Sequence, residues 1–185
     1  MAHAHGVHAS PGWMRIETER LILRPIDPER DFDAWARSMA DPVAVRYIGG
    51  KVLDRAQAWR HMASIIGHWQ IRGYGFFSVE NRETGEWVGR VGPWYPEGWP
   101  EPEVGWTILP EHWGKGYATE AGRASIRYAF EELGWQRVIH VILTGNERSI
   151  AVAERLGSRF IRSEPNLPGV TDQEVLVYGQ DAPHR

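Results

Sequence analysis

No cysteine occurs anywhere in the 185 residues of this chain. That absence excludes disulfides, thiolate metal ligands and any reaction that passes through a cysteine-bound intermediate. A basic surplus is also lacking: 21 Lys and Arg stand against 24 Asp and Glu, for a formal net charge of -3. Nucleic-acid binders carry clustered Lys and Arg, so nucleic acid ranks low as a partner. Long hydrophobic runs are missing as well. No apolar stretch approaches the ~20 residues that span a bilayer, and no basic-then-apolar leader opens the chain. The expectation is a cytoplasmic protein with no membrane partner.

What is present fits one domain. With 42% hydrophobic residues, a chain of this length can build one core of ordinary size. Residues 1–14 read as a flexible tail and 15–185 as the folded domain. The tail carries His3, His5 and His8, but ordering three histidines on a loose segment costs entropy and no fixed carboxylate lies near to orient them. No metal site is expected.

The segment with most chemical content is Glu111-His112-Trp113-Gly114-Lys115-Gly116-Tyr117-Ala118-Thr119-Glu120-Ala121. From Ala118 the small or apolar positions Ala118, Gly122, Ile126, Ala129, Phe130 and Leu133 recur at helical spacing. Glu120, Arg123, Arg127 and Glu131 take the other side, and Gly134 supplies a stop. Before the glycines, Val104, Trp106 and Ile108 alternate with smaller or polar residues until Pro110 closes the run. Strand, glycine loop and helix together build an anion site, because the first N–H groups of a helix lack internal partners and carry the positive end of its dipole. The spacing matches neither a P-loop nor a dinucleotide fingerprint.

Elsewhere the pattern predicts a strand over 20–26 and a helix capped by Asp27-Pro28, with Phe32, Trp35, Ala36 and Met39 as its apolar stripe. A second helix follows Asp54, with Trp59, Met62, Ile66 and Trp69 as its stripe. Residues 76–82 and 86–94 read as a hairpin around Thr84-Gly85, and the β-branched run at 137–143 as a covered central strand. The strand at 103–109, the helix and the strand at 137–143 form a crossover, which places the two strands parallel and adjacent. A helix near 149–156 and strands near 160–163 and 174–178 complete the sheet. The stiff loop 93–102, rich in proline and tryptophan, is either a pocket wall or a rigid surface connection.

The string from Trp113 to Ala121 resembles the pyrophosphate loop of the GNAT acyl-CoA acetyltransferase superfamily, in particular the RimJ/RimL-type branch of ribosomal-protein N-terminal acetyltransferases. Thr18-Glu19-Arg20-Leu21-Ile22-Leu23-Arg24-Pro25 is similar to the first strand of that branch. Ala40-Asp41-Pro42 with Tyr47-Ile48-Gly49-Gly50 is similar to its first helix exit, and the segment from Asn146 to Gly157 to its last helix. The resemblance implies an α/β (α+β) fold: a mixed, mostly antiparallel sheet of about six to seven strands, splayed central parallel strands and helices on both faces. It implies acetyl-CoA as co-substrate, no metal and an amine acceptor, either a protein or peptide N-terminus or a small molecule. Acetyl would pass directly to the amine through a tetrahedral intermediate. A non-catalytic acyl-CoA-binding or regulatory domain is the other reading.

The resemblance also implies site residues. Backbone amides of Trp113, Gly114, Lys115, Gly116, Tyr117, Ala118 and Thr119 would cradle the pyrophosphate, and the backbone of Trp106, Thr107, Ile108 and Leu109 would pair with pantetheine. Asn146 would touch pantetheine and Ser149 would sit near the sulfur. Glu103 is the expected general base, against the plain alternative of a solvated or salt-bridged strand glutamate. Asn146 is equally readable as an N-cap for Ser149. The tyrosine that often serves as acid in the superfamily is replaced by Ala153, which leaves Ser149 or ordered water. Two further departures are Glu111 at the start of the loop, expected to point away, and Leu156-Gly157-Ser158, where Phe160 is expected to restore the aromatic packing.

Overall fold

The structure, a computed structural model, describes residues 14–168 and 170–183. Of the tail expected over residues 1–14, residues 1–13 with the histidines lie outside the described residues, and Met14 packs against the core. In chain order the elements are β1 (Ile16–Glu17), β2 (Leu21–Arg24), α1 (Pro28–Ala40), α2 (Pro42–Val45), α3 (Arg55–Arg72), β3 (Phe77–Asn81), β4 (Trp87–Trp94) and β5 (Glu103–Ile108). They continue with α4 (Tyr117–Glu131), β6 (Arg137–Leu143), α5 (Glu147–Arg155), β7 (Arg159–Glu164) and β8 (Val175–Asp181).

Local chemistry starts the helices where the sequence places them. The Asp27 carboxylate accepts from the Glu29 and Arg30 amides. Asp54 and Gln57 form a reciprocal capping box for α3, which ends on Gly73 at φ 77. Each cap satisfies amides that a helix end leaves without partners. All strands join one eight-stranded sheet in the order β1-β2-β3-β4-β5-β6-β8-β7. Every pairing is antiparallel except β5 with β6. The strand beyond the expected number is β1, whose two residues are too few to show an alternation.

Trp35, Met39, Met62 and Phe76 fill one core layer, and Tyr117, Ala121, Tyr128, Phe77 and Val91 the other. Two expectations fail here. Trp59 is 57% exposed, and the buried stripe of α3 is instead Ala58, Met62, Ile65 and Trp69. At about 100° per residue, Trp59 lies roughly 90° from the centre of that stripe, whereas Ala58 falls on it. Phe160 does not restore a core aromatic: it is 54% exposed on the edge strand β7, where its ring meets that of Tyr178 edge-on at 5.8 Å between centroids.

A buried ionic cluster fastens α1 to the sheet. Asp31, fully buried, binds the Arg24 guanidinium through both oxygens and also accepts from the Asp27 amide and the Ser78 hydroxyl. Glu80 takes the remaining contacts from Arg24 and Arg30.

Candidate functional site

The sheet is opened between β5 and β6. These strands share a single register pair, Glu103 with Ile139, and then diverge. Side chains hold the opening. The Glu103 carboxylate accepts from the Val141 amide at 3.1 Å, and the His140 ring bonds the Val104 carbonyl at 2.7 Å. Because Nδ1 of His140 faces a carbonyl, it must be the protonated nitrogen, so Nε2 accepts from Ser158, which in turn accepts from Gln180. Burial depresses the His140 pKa to about 4, which keeps this ring neutral.

Beyond the divergence one edge of β5 is free. In an antiparallel ladder, alternate residues point their backbone groups at the partner strand. The Leu109 amide bonds the Val88 carbonyl on the β4 side, so Thr107 and Leu109 face β4 and the even-numbered residues face the opening. Of the four residues expected at a pantetheine edge, Trp106 and Ile108 are therefore directed there, and Thr107 and Leu109, the latter just past β5, are not. The Ile108 carbonyl is already taken by the Trp113 indole N–H at 2.7 Å. Among the described residues, nothing pairs with the Trp106 amide and carbonyl or the Ile108 amide.

The glycine loop lies at the far end of that edge. Gly114 and Gly116 adopt φ 75 and 78, a left-handed region that costs a side-chain-bearing residue of order 1–3 kcal/mol. Gly116 caps α4 with no side-chain bond, and no acceptor among the described residues takes the amides of residues 114–119. Helix dipole and free amides thus coincide. The Trp113 amide bonds the Pro110 carbonyl instead, so the row of free amides begins one residue later than expected. Arg20 braces the turn by donating to the Lys115 carbonyl, and Glu120 anchors Arg20 and Thr18 rather than facing the opening. Glu111 is exposed, as expected of a residue turned away from the loop.

Glu103 and Ser149 line one continuous cavity of about 1810 Å³ that also reaches the loop. That volume exceeds the ~300–1,000 Å³ typical for one small ligand and leaves room for two substrates. Glu103 is 6% exposed and also accepts from the Trp99 indole at 2.6 Å. The proline-rich loop is therefore a pocket wall, tied to Glu103 through Trp99. Burial pushes the Glu103 pKa up to about 7, against the opposing pull of its two hydrogen bonds and of Arg90. Across the opening, Asn146 caps α5 by accepting from the Ser149 amide at 3.3 Å, and the Ser149 hydroxyl accepts from the Trp106 indole at 3.2 Å. The cap reading of Asn146 holds, and no described residue bonds its side-chain amide nitrogen.

Sequence reasoning passed over Arg148, Arg90 and His61. The Arg148 guanidinium lies 4.0 Å from the Trp113 ring centroid beside the loop; its place next to Ser149 was the available signal. Arg90 and His61 line the cavity from β4 and α3, and nothing in their local spacing marks them.

A family model described as "Acetyltransferase (GNAT) domain" matches residues 20–159. The uncharacterized N-acetyltransferase YoaA of Bacillus subtilis is 30% identical over 144 residues, 77% of this chain and 81% of that protein. An acetyltransferase structure from Agrobacterium tumefaciens superposes with a TM-score of 0.79 at 33% identity, covering 91% of this chain and 95% of that one. RimL, a ribosomal L7/L12 alpha-N-protein acetyltransferase solved with coenzyme A, shares the fold at a TM-score of 0.72 and 17% identity, over 91% of this chain and 98% of its own.

Proposed function

The chain belongs to the GNAT acetyltransferase family, and on that premise we propose that it moves the acetyl group of acetyl-CoA directly onto a primary amine. The observation that carries this reading is the opened edge of Trp106 and Ile108 leading to the free amides of residues 114–119. A pantetheine arm can pair with such an edge as an added strand, while the pyrophosphate accepts from the loop. The free Asn146 amide nitrogen donates to a pantetheine carbonyl, and Lys115 and Arg148 supply positive charge at the loop.

Glu103 takes the proton of the incoming ammonium, directly or through a water. A carboxylate that titrates near 7 is matched to that task at neutral pH. The amine nitrogen then attacks the thioester carbon, forming the C–N bond as the carbonyl electron pair moves onto oxygen. The Trp106 or Ile108 amide donates to that oxyanion. Collapse breaks the C–S bond: the departing sulfur takes a proton from the Ser149 hydroxyl or from water, and the surplus proton on the new amide nitrogen passes to the oxygen that gave it. Since Ser149 is already an acceptor from Trp106, its own proton stays available for the sulfur.

Release of free thiol from acetyl-CoA in the presence of mixed amines, namely N-terminal peptides, polyamines, aminoglycosides and amino acids, tests the reading. Amine-dependent release is the expected result. Stabilisation by acetyl-CoA with no thiol release from any amine would identify a binding or regulatory domain instead.

A further inference from the structure

Among the described residues, one buried cation of the cavity has no hydrogen-bonding or acidic partner. Arg90 is 6% exposed, points into the cavity from β4, and makes neither a hydrogen bond nor an ion pair with any described residue. Its guanidinium rests 4.3 Å from the Phe76 ring centroid and 5.5 Å from that of Trp35. The nearest acids do not serve it. Asp31 is consumed by Arg24 and Ser78, and Glu103 acts on it only at a distance. Burial draws the guanidinium pKa down to about 10, as expected of a charge taken from water without compensation. A cation in this state gains more from an incoming anion than an exposed arginine would.

A second donor joins it. His61 accepts from the Trp35 indole at Nδ1, which fixes the neutral tautomer with its proton on Nε2. Burial and the Arg90 charge hold the His61 pKa near 4, so the ring is neutral. No described residue accepts from Nε2, and the ring lines the same cavity. Arg90 and His61 therefore present N–H groups toward one space with apolar walls.

The position of this pair relative to Glu103 follows from the ladder. Arg90 pairs with Thr107, and Trp94 with Glu103, so Arg90 and Glu103 stand on one face with Cα atoms about 13 Å apart. Their side chains converge on the Phe76 ring, which also lies 3.1 Å from where a Cβ on Gly105 would sit, with the Glu103 carboxylate 3.4 Å from that same point. They stay beyond ion-pair contact, and both line the same cavity, so one molecule in it can reach both.

Resting on the acetyl-transfer reading above, we infer that Arg90 and His61 form a carboxylate-binding subsite, so that the acceptor is an amino acid or similar amine bearing a carboxylate. Its carboxylate would take the planar guanidinium fork and the His61 N–H, while its amine faces Glu103. One guanidinium with one neutral imidazole suits a monoanion better than a doubly charged phosphate.

The test is a binding measurement, so it does not depend on turnover. CoA-loaded protein is titrated calorimetrically with a set of N-acetyl amino acids and with their carboxamides. At least one acid is expected to bind ten times or more tighter than its carboxamide. Arg90→Gln should erase that difference, Arg90→Lys should keep part of it, and all three proteins should bind CoA equally. Equal binding of acids and carboxamides, no binding by any acid, or a preference that survives Arg90→Gln in a folded variant would overturn the inference. Failure of acetyl transfer shows separately, as absent thiol release with every amine.

Discussion

Replacing Glu103 by glutamine separates chemistry from stability through pH. In the folded protein the carboxyl titrates near 7, against a reference value of 4.5. The native state therefore holds the proton more tightly than the unfolded chain does. The stability this confers is fully present below 4.5, is lost as pH rises toward 7, and is gone above it. Linkage puts the total loss at about 3 kcal/mol, of which some 2–3 kcal/mol falls between pH 5 and 8. His61 and His140, both held near 4 by burial, act in the opposite direction between 6.5 and 4. The wild-type curve alone is therefore uninformative, but its difference from Glu103→Gln cancels the histidines. The amide also meets two donors, the Val141 amide and the Trp99 indole, so one is left facing an NH2 group at a pH-independent cost of about 1–3 kcal/mol. That cost sets the offset between the two proteins, and ionisation sets the slope. Guanidinium unfolding of both proteins from pH 5 to 8 should show the variant gaining about 2–3 kcal/mol on the wild type as pH rises. In parallel, its activity at pH 7 should fall by about 10²- to 10⁴-fold and lose the inflection near 7. A stability difference that does not vary with pH would refute the assigned ionisation. Full activity at neutral pH would remove Glu103 as the base.

Gly116→Pro, placed at φ 78 where proline cannot go, should abolish acetyl-CoA binding by calorimetry while thermal unfolding stays cooperative. Unchanged affinity would sink the loop assignment. Asp31→Ala strands the buried Arg24 guanidinium, and the loss of unfolding free energy should be about 3–5 kcal/mol, with a loss under 1 kcal/mol arguing that Glu80 alone suffices. His140→Phe leaves the Val104 carbonyl and the Ser158 hydroxyl without their ring partner, at about 1–3 kcal/mol each. If these bonds hold the opening, this variant should also weaken acetyl-CoA affinity; a stability loss with unchanged affinity would confine His140 to the core.

What could be read from the sequence was whatever short range decides. The caps at Asp27 and Asp54, the hairpin around Thr84-Gly85 and the strand, glycine loop and helix over 103–131 depend on residues a few positions apart, and each appears in the structure. Trp59 was misassigned because an apolar side chain near a stripe counts toward a periodic pattern even from its margin. The chain from Gln180 through Ser158 and His140 to Val104 was not legible, since its members lie 18 to 36 residues apart and meet only when the register of β6 against β8 is set. Arg90 is hidden for a related reason: within β4 it is one polar residue between Gly89 and Val91, and only the packed fold reveals that no described acid or hydrogen-bond acceptor reaches it.

The two glycines facing each other across β4 and β5 tie these observations together. Gly92 pairs with Gly105; a side chain is blocked by backbone at the first and crowds a ring at the second. A Cβ at Gly92 would lie 2.8 Å from the Gly75 carbonyl oxygen, and one at Gly105 would press on the Phe76 ring at 3.1 Å. Their bareness lets the Phe76 ring pack against the sheet close to both Arg90 and Glu103. The ring then serves both ends of the cavity. It gives the unpaired guanidinium an aromatic face in place of water, and it helps dry the carboxyl enough to carry its pKa up to about 7. Base strength at one end and anion affinity at the other thus have a common origin in the side chains that β4 and β5 omit, and a change that moves Phe76 must alter both.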